Sequence, residues 1–79
     1  MIFQVNLIQI WGLSRMNYGT VRIWKQMEGW GFIESDDGED YFFNISSVRK
    51  GQKIRESSNV KFDTEETQKG TQAVNVSLT

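Results

Sequence analysis

The chain of 79 residues contains no cysteine and no histidine. Without cysteine it forms neither a disulfide nor a thiolate metal site, and this composition suits a reducing compartment. Without histidine, imidazole acid-base catalysis and the usual zinc sites are excluded. A glycine-rich loop of the kind that cradles phosphates is also missing. We therefore expect no enzyme, no cofactor and no small-molecule substrate.

The chain also has no overall excess of positive charge. Its formal net charge is -1, so it carries no global signal for binding nucleic acid or a membrane surface. The charges are nevertheless segregated, because five acidic residues crowd residues 34–40 and four basic residues follow within 49–55. The acidic spacing does not match a calcium-binding loop, so we interpret the cluster as a solvated turn and expect no metal site.

Five short segments have the alternation and β-branched content of strands, and no helix is predicted. They are Gly19 to Lys25, Gly29 to Ser35, Asp40 to Ile45, Val60 to Glu65 and Thr71 to Leu78. The stretch 46–59 is interpreted as a long loop that opens with a short helical turn. Five strands without crossover helices predict an all-β fold, a small five-stranded antiparallel Greek-key barrel of the OB-fold type. An RNA-recognition βαββαβ domain needs two amphipathic helices, which the sequence does not offer.

The second and third segments form a hairpin rich in aromatic residues. A three-residue loop, Asp36-Asp37-Gly38, suits a type I turn followed by a glycine in the left-handed region, and it sets Phe32 opposite Phe42. A two-residue turn at Asp37-Gly38 would instead pair Ile33 with Phe42, which fits the alternation less well. With Phe32 opposite Phe42, one face carries Trp30, Phe32, Phe42 and Asn44, and the other carries Gly31, Ile33, Tyr41 and Phe43.

A row of rings at a wet surface is typical of proteins that stack unpaired bases. The alternative is that these rings are core residues or favourable cross-strand pairs, as most aromatic residues in strands are.

Four motifs, in chain order, resemble those of the cold-shock domain family. They are Gly19-Thr20-Val21-Arg22, Gly29-Trp30-Gly31-Phe32-Ile33, Asp40-Tyr41-Phe42-Phe43-Asn44-Ile45-Ser46 and Lys69-Gly70-Thr71-Gln72-Ala73-Val74-Asn75-Val76. The resemblance covers about three quarters of the chain and predicts a cold-shock-like OB domain over residues 17–79. It implies binding of single-stranded RNA or DNA with little sequence preference, in the role of an RNA chaperone or a cold-shock-like regulator.

Several positions depart from the family pattern. Ile23, Asn44, Ile45 and Gly51 stand where the family has stacking or base-contacting residues, and Glu28 replaces a lysine. Trp24 replaces a phenylalanine and would share a face with Arg22 in a regular strand, where it could compensate for a missing ring; packing at the barrel edge is the alternative. We predict weak binding through Arg22, Trp24, Lys25, Trp30, Phe32, Phe42, Asn44 and Lys69. Arg22, Lys25 and Lys69 would contact phosphates.

Two questions stay open at this point. The alternative function is an OB-fold protein-interaction module whose nucleic-acid face has eroded. Residues 1–16 form an N-terminal extension, for which one hypothesis is that translation starts at Met16 and another is that Phe3, Val5 and Leu7 add a strand. The extension is too short and too often interrupted by polar residues for a membrane anchor or a signal peptide. We expect a cytoplasmic monomer or weak homodimer.

Overall fold

A computed structural model describes residues 16–79. The hypothesis of an added strand at Phe3, Val5 and Leu7 concerns residues outside this range. The hypothesis of a translation start at Met16 concerns the first residue inside it. The described residues form five strands and one short 3₁₀ helix. Their bounds are β1 Asn17–Lys25, β2 Trp30–Ser35, β3 Asp40–Asn44, η1 Ile45–Ser47, β4 Asn59–Thr67 and β5 Gly70–Leu78. The five predicted strands and the helical turn that opens the long loop are confirmed.

The strands close into a barrel in the order β1-β2-β3-β5-β4. The predicted five-stranded barrel is therefore confirmed. β1 pairs with β2 and with β4, β2 with β3, and β4 with β5, all antiparallel. The barrel closes between β3 and β5, where Phe42 and Gln72 pair in a parallel arrangement. This parallel contact joins strands far apart in sequence, and strand alternation did not predict it.

The inner face of the barrel carries the hydrophobic core. Along each strand every second side chain points inward, and these inward positions are mostly apolar. The buried core consists of Val21, Ile33, Phe43, Ile54, Val60, Phe62, Ala73 and Val76. Tyr41 is partly buried and packs against Phe62, with 5.6 Å between ring centroids. The predicted placement of Tyr41 and Phe43 on the face of Ile33 is confirmed.

The turn between β2 and β3 fixes the register of the aromatic hairpin. Gly38 has φ of +93°, a left-handed conformation that glycine adopts without steric cost. The N–H of Gly38 donates a hydrogen bond to the carbonyl oxygen of Ser35 at 2.9 Å, and the N–H of Ser35 donates one to the carbonyl oxygen of Glu39 at 2.7 Å. Phe32 pairs with Phe42, as the three-residue loop predicts.

A β-bulge at Arg22 makes strand β1 irregular. Val21 pairs with Ile33, and Ile23 pairs with Phe32, so Arg22 is the extra residue between them. The bulge shifts the alternation by one residue, and Ile23 and Lys25 take the outer side while Trp24 turns to the side of Gly31. The expectation that Trp24 shares a face with Arg22 assumed a regular strand and is wrong for this reason.

No helix among residues 16–79 has the length and apolar character needed to cross a bilayer.

Candidate nucleic-acid interface

Three aromatic rings lie together on the outer face of β2 and β3. We call Trp30, Phe32 and Phe42 the aromatic patch. The ring centroids of Phe32 and Phe42 are 5.7 Å apart at an interplanar angle of 74°. Trp30 lies 6.0 Å from Phe32, edge to face, and 6.2 Å from Phe42, nearly parallel at 26°. All three side chains are half-buried, so each ring packs on its neighbours and still presents surface to solvent.

Side chains on the neighbouring strands border the aromatic patch. Pairing across β1 and β2 sets Ile23 beside Phe32 and Lys25 beside Trp30. Pairing across β3 and β5 sets Gln72 beside Phe42. From the sequence, Ile23 was interpreted only as a position that lacks an aromatic ring, and Gln72 was not predicted to lie near the patch. The β-bulge that turns Ile23 outward and the parallel pairing that places Gln72 are not local features of the sequence. Ile23 is 39% exposed and extends the apolar surface of the patch.

Asn44 pairs with Trp30 at the end of β3, and its side chain also has a structural role. Its Oδ1 accepts a hydrogen bond from the N–H of Ser46 at 3.0 Å, which caps the 3₁₀ helix that follows. The side chain is exposed, so its amide nitrogen remains able to donate to a ligand. The predicted position of Asn44 beside Trp30 is confirmed, whereas its capping hydrogen bond was not predicted from the sequence.

Trp24 lies beneath the sheet surface on the side of the core. Its ring stacks on that of Phe43, with centroids 5.2 Å apart and an interplanar angle of 6°. Trp24 pairs with Gly31, where a side chain would clash with the backbone of Ile23. This is the barrel-edge packing that the sequence left as the alternative. A base contact by Trp24 stays a prediction, and it would not take place on the aromatic patch.

An open groove of about 450 Å³ lies beside Trp24. It is bordered by the loop that follows β3, and its lining comprises Trp24, Gln26, Ile45, Val48, Gln52, Lys53, Ile54 and Arg55. Ile45 is 49% exposed and adds apolar surface to this groove at the end of β3. Two cations, Lys53 and Arg55, are part of this lining.

The opposite end of the aromatic patch is acidic. Glu34 follows Phe32 on the outer face of β2 and pairs with Asp40 across the hairpin. Arg22 reaches this end from the bulge, and its Nη1 lies 3.8 Å from Oε1 of Glu34. The predicted phosphate ligand Arg22 therefore already faces a carboxylate. Lys69 lies at the tip of the β4–β5 hairpin, away from the patch pairings, and its N–H donates to Oγ1 of Thr67.

The acidic turn also affects Tyr41. Partial burial raises the pKa of the Tyr41 hydroxyl above its usual value of 10.0, and the negative charges of Asp37, Glu39 and Glu66 raise it further. Within residues 16–79 no histidine, cysteine or carboxylate groups of three or more converge to hold a metal ion.

Comparison with known proteins agrees with this geometry. Residues 17–79 match the family model described as the 'Cold-shock' DNA-binding domain. The chain belongs to the cold-shock domain family. The Major cold shock protein of Streptococcus pyogenes serotype M1 is 38% identical over 63 residues, which cover 77% of this chain and 94% of that protein. Cold shock protein CspC of Bacillus subtilis is 36% identical over 63 residues, covering 77% and 96% respectively.

A solved cold-shock domain structure, drosophila Unr CSD456, superposes with a TM-score of 0.71 at 20% identity. The match covers 94% of this chain and spans 30% of that one, and it supports the barrel fold. The cold-shock domain family consists of nucleic-acid-binding domains and not of enzymes. The family therefore agrees with the expectation, from the lack of cysteine and histidine, that the chain is not an enzyme. The family identified from four sequence motifs is confirmed.

Proposed function

We propose that this protein binds single-stranded RNA or DNA by stacking unpaired bases on Trp30, Phe32 and Phe42. One observation carries the proposal: three contacting rings lie half-exposed on the outer face of β2 and β3, while Ile33 and Phe43 fill the core from the opposite face. The core is therefore complete without them. Each ring offers a flat apolar surface, and such surfaces stack any base because every base has a π-face.

Cations at one end of the patch complement the rings. Lys25 pairs with Trp30, and Lys53 and Arg55 line the adjoining groove. Positive side chains beside stacking rings neutralise the phosphates that connect stacked bases. The acidic residues Glu34 and Asp40 lie at the other end. We infer that the single strand crosses the patch and leaves toward the Lys25 end.

The affinity is expected to be lower than that of a relative with a full set of rings. Ile23, Ile45 and Gly51 offer no ring where the family pattern has one. Base stacking contributes about 1–3 kcal/mol per base, so two or three missing rings weaken binding by about two or more orders of magnitude. We propose that the protein acts as a weakly binding RNA chaperone or cold-shock-like regulator, in line with its cold-shock relatives. Its location in the cytoplasm and its state as a monomer or weak homodimer are part of the same proposal.

The proposal is tested by titrating the protein with a single-stranded pyrimidine oligonucleotide while tryptophan fluorescence is recorded at low and high salt. We expect quenching, with an affinity that falls as salt rises. Trp30→Ala is expected to weaken binding by about 5- to 150-fold, the equivalent of one stacked base. Tyr18→Ala is the matched control, because Tyr18 is an exposed aromatic residue of β1 that pairs with Lys61 of β4 and not with the patch.

An absence of binding at high micromolar protein would contradict the proposal and leave the protein-interaction module as the better explanation. Equal effects of Trp30→Ala and Tyr18→Ala would also contradict it, since stacking on the patch requires the ring of Trp30 and not that of Tyr18.

A further inference from the structure

We propose that Glu34 limits the affinity of the aromatic patch for single strands by holding Arg22 in an ion pair. This inference rests on the proposed function and assigns Glu34 a role in regulating that same site. Arg22 is the cation that the sequence assigned to a phosphate. In the folded protein its guanidinium has a carboxylate partner, so a phosphate must compete with Glu34 for it.

Arg22 lies within reach of Glu34 on the outer side of the sheet. It is the extra residue of the bulge between Val21 and Ile23, and alternation from the buried Val21 already turns it outward. There Nη1 of Arg22 lies 3.8 Å from Oε1 of Glu34. In a strand without the bulge, Ile23 would face the core. The bulge therefore adds the apolar side chain of Ile23 to the outer face, beside a cation that pairs with Glu34.

The position of Glu34 explains why it retains Arg22. Glu34 lies two residues beyond Phe32 on the same face and pairs with Asp40 across the hairpin. Like charges directly opposite each other in a sheet repel, and a nearby cation relieves that repulsion. Arg22 therefore serves as the counterion of Glu34, and a phosphate must displace this carboxylate to gain the full charge of Arg22.

The ion pair is weak enough for a ligand to displace. The side chains of Arg22 and Glu34 are 55% and 48% exposed, and exposed pairs contribute little to folding. Glu34→Gln is therefore expected to leave the barrel intact. Its effect on binding is larger, because a pair of zero net charge neutralises no phosphate, whereas a free Arg22 neutralises one and releases its counterion.

The experiment measures oligonucleotide affinity as a function of salt for the full chain and for Glu34→Gln. We expect Glu34→Gln to bind about 3- to 10-fold more tightly at low salt, and the slope of log K against log salt to steepen by about 0.7, the value for one phosphate on a single strand. Arg22→Gln is expected to abolish the gain that Glu34→Gln produces, because no cation is then left for Glu34→Gln to release. Thermal melting verifies that each variant is folded.

Glu65→Gln is the matched control, because it removes the same charge from an exposed residue of β4 that forms no ion pair within residues 16–79. Any effect of Glu65→Gln should be the same with and without Arg22. If the gain from Glu34→Gln persists after Arg22→Gln, or equals that from Glu65→Gln, the inference is wrong while the proposed function stands. If neither the wild type nor Glu34→Gln binds, the proposed function fails and this inference fails with it.

Discussion

Two adjacent phenylalanines on β3 are expected to respond in opposite ways to the same substitution. Phe42 and Phe43 are neighbours in sequence, but alternation places Phe42 on the outer face and Phe43 in the core. Phe43→Ala should destabilise the protein severely, whereas Phe42→Ala should leave it folded with weakened binding. The pair separates the structural role of an aromatic residue from its role in binding.

The magnitudes follow from the contacts of each ring. Phe43 is 0% exposed and stacks on Trp24, and emptying such a site costs about 3–5 kcal/mol. A domain of this size has a total stability of about 3–9 kcal/mol, so Phe43→Ala removes between about a third of it and all of it. Phe42 is half-buried and loses two ring contacts, each of which contributes about 0.5–1.5 kcal/mol. Phe42→Ala therefore leaves a folded majority.

The assay combines urea denaturation, followed by circular dichroism, with oligonucleotide titration of each variant that folds. Phe42→Ala is expected to shift the unfolding midpoint modestly and to weaken binding by about 5- to 150-fold. If both variants lose the same stability, the division between outer and inner faces is refuted. If Phe42→Ala is folded and binds like the wild type, Phe42 does not stack bases.

Three further substitutions test other parts of the structure. Gly31→Ala should destabilise the barrel by about 1–3 kcal/mol, as overpacking of a core site does, because its Cβ would overlap the backbone of β1; calorimetry would refute this if Gly31→Ala melts like the wild type. Asn44→Ala should cost about 1 kcal/mol by removing the cap on Ser46, and Asn44→Asp should retain that stability in urea denaturation; equal loss in both would exclude the cap. Tyr41→Phe should reduce the loss of stability above pH 10, because the raised pKa of Tyr41 means that the folded state holds the phenolic proton more tightly than the unfolded state. The free energy of unfolding of the wild type therefore falls as the pH rises from 10.0, the pKa in the unfolded state, toward the higher pKa in the folded state. Identical thermal melting curves of wild type and Tyr41→Phe at alkaline pH would contradict this.

The local part of the fold could be predicted from the sequence. Gly38 at the end of a three-residue loop set the register of Phe32 with Phe42, and alternation then assigned both faces of the hairpin. These features depend on neighbours in sequence, where turn chemistry and the two-residue period are strong. The aromatic patch was accordingly predicted with its correct members.

The non-local part could not be predicted in the same way. The bulge at Arg22 turned Trp24 to the core side, and no glycine or other local signal in β1 marks it. The parallel pairing of Phe42 with Gln72 joins distant segments, so Gln72 was not placed beside the patch. The ion pair of Arg22 with Glu34 joins side chains of two strands, and no local feature of the sequence indicated it. Each of these features depends on contacts between strands and not on the residues next to it in the chain.

The most direct test of the central claim uses Trp30 as its own reporter. The variant Trp11→Phe, Trp24→Phe leaves Trp30 as the only tryptophan of the chain, and a labelled single-stranded oligonucleotide reports binding independently by anisotropy. Base stacking predicts that Trp30 emission is quenched along the same saturation curve as the rise in anisotropy. Binding by anisotropy with unchanged Trp30 emission would contradict the claim that the aromatic patch stacks bases.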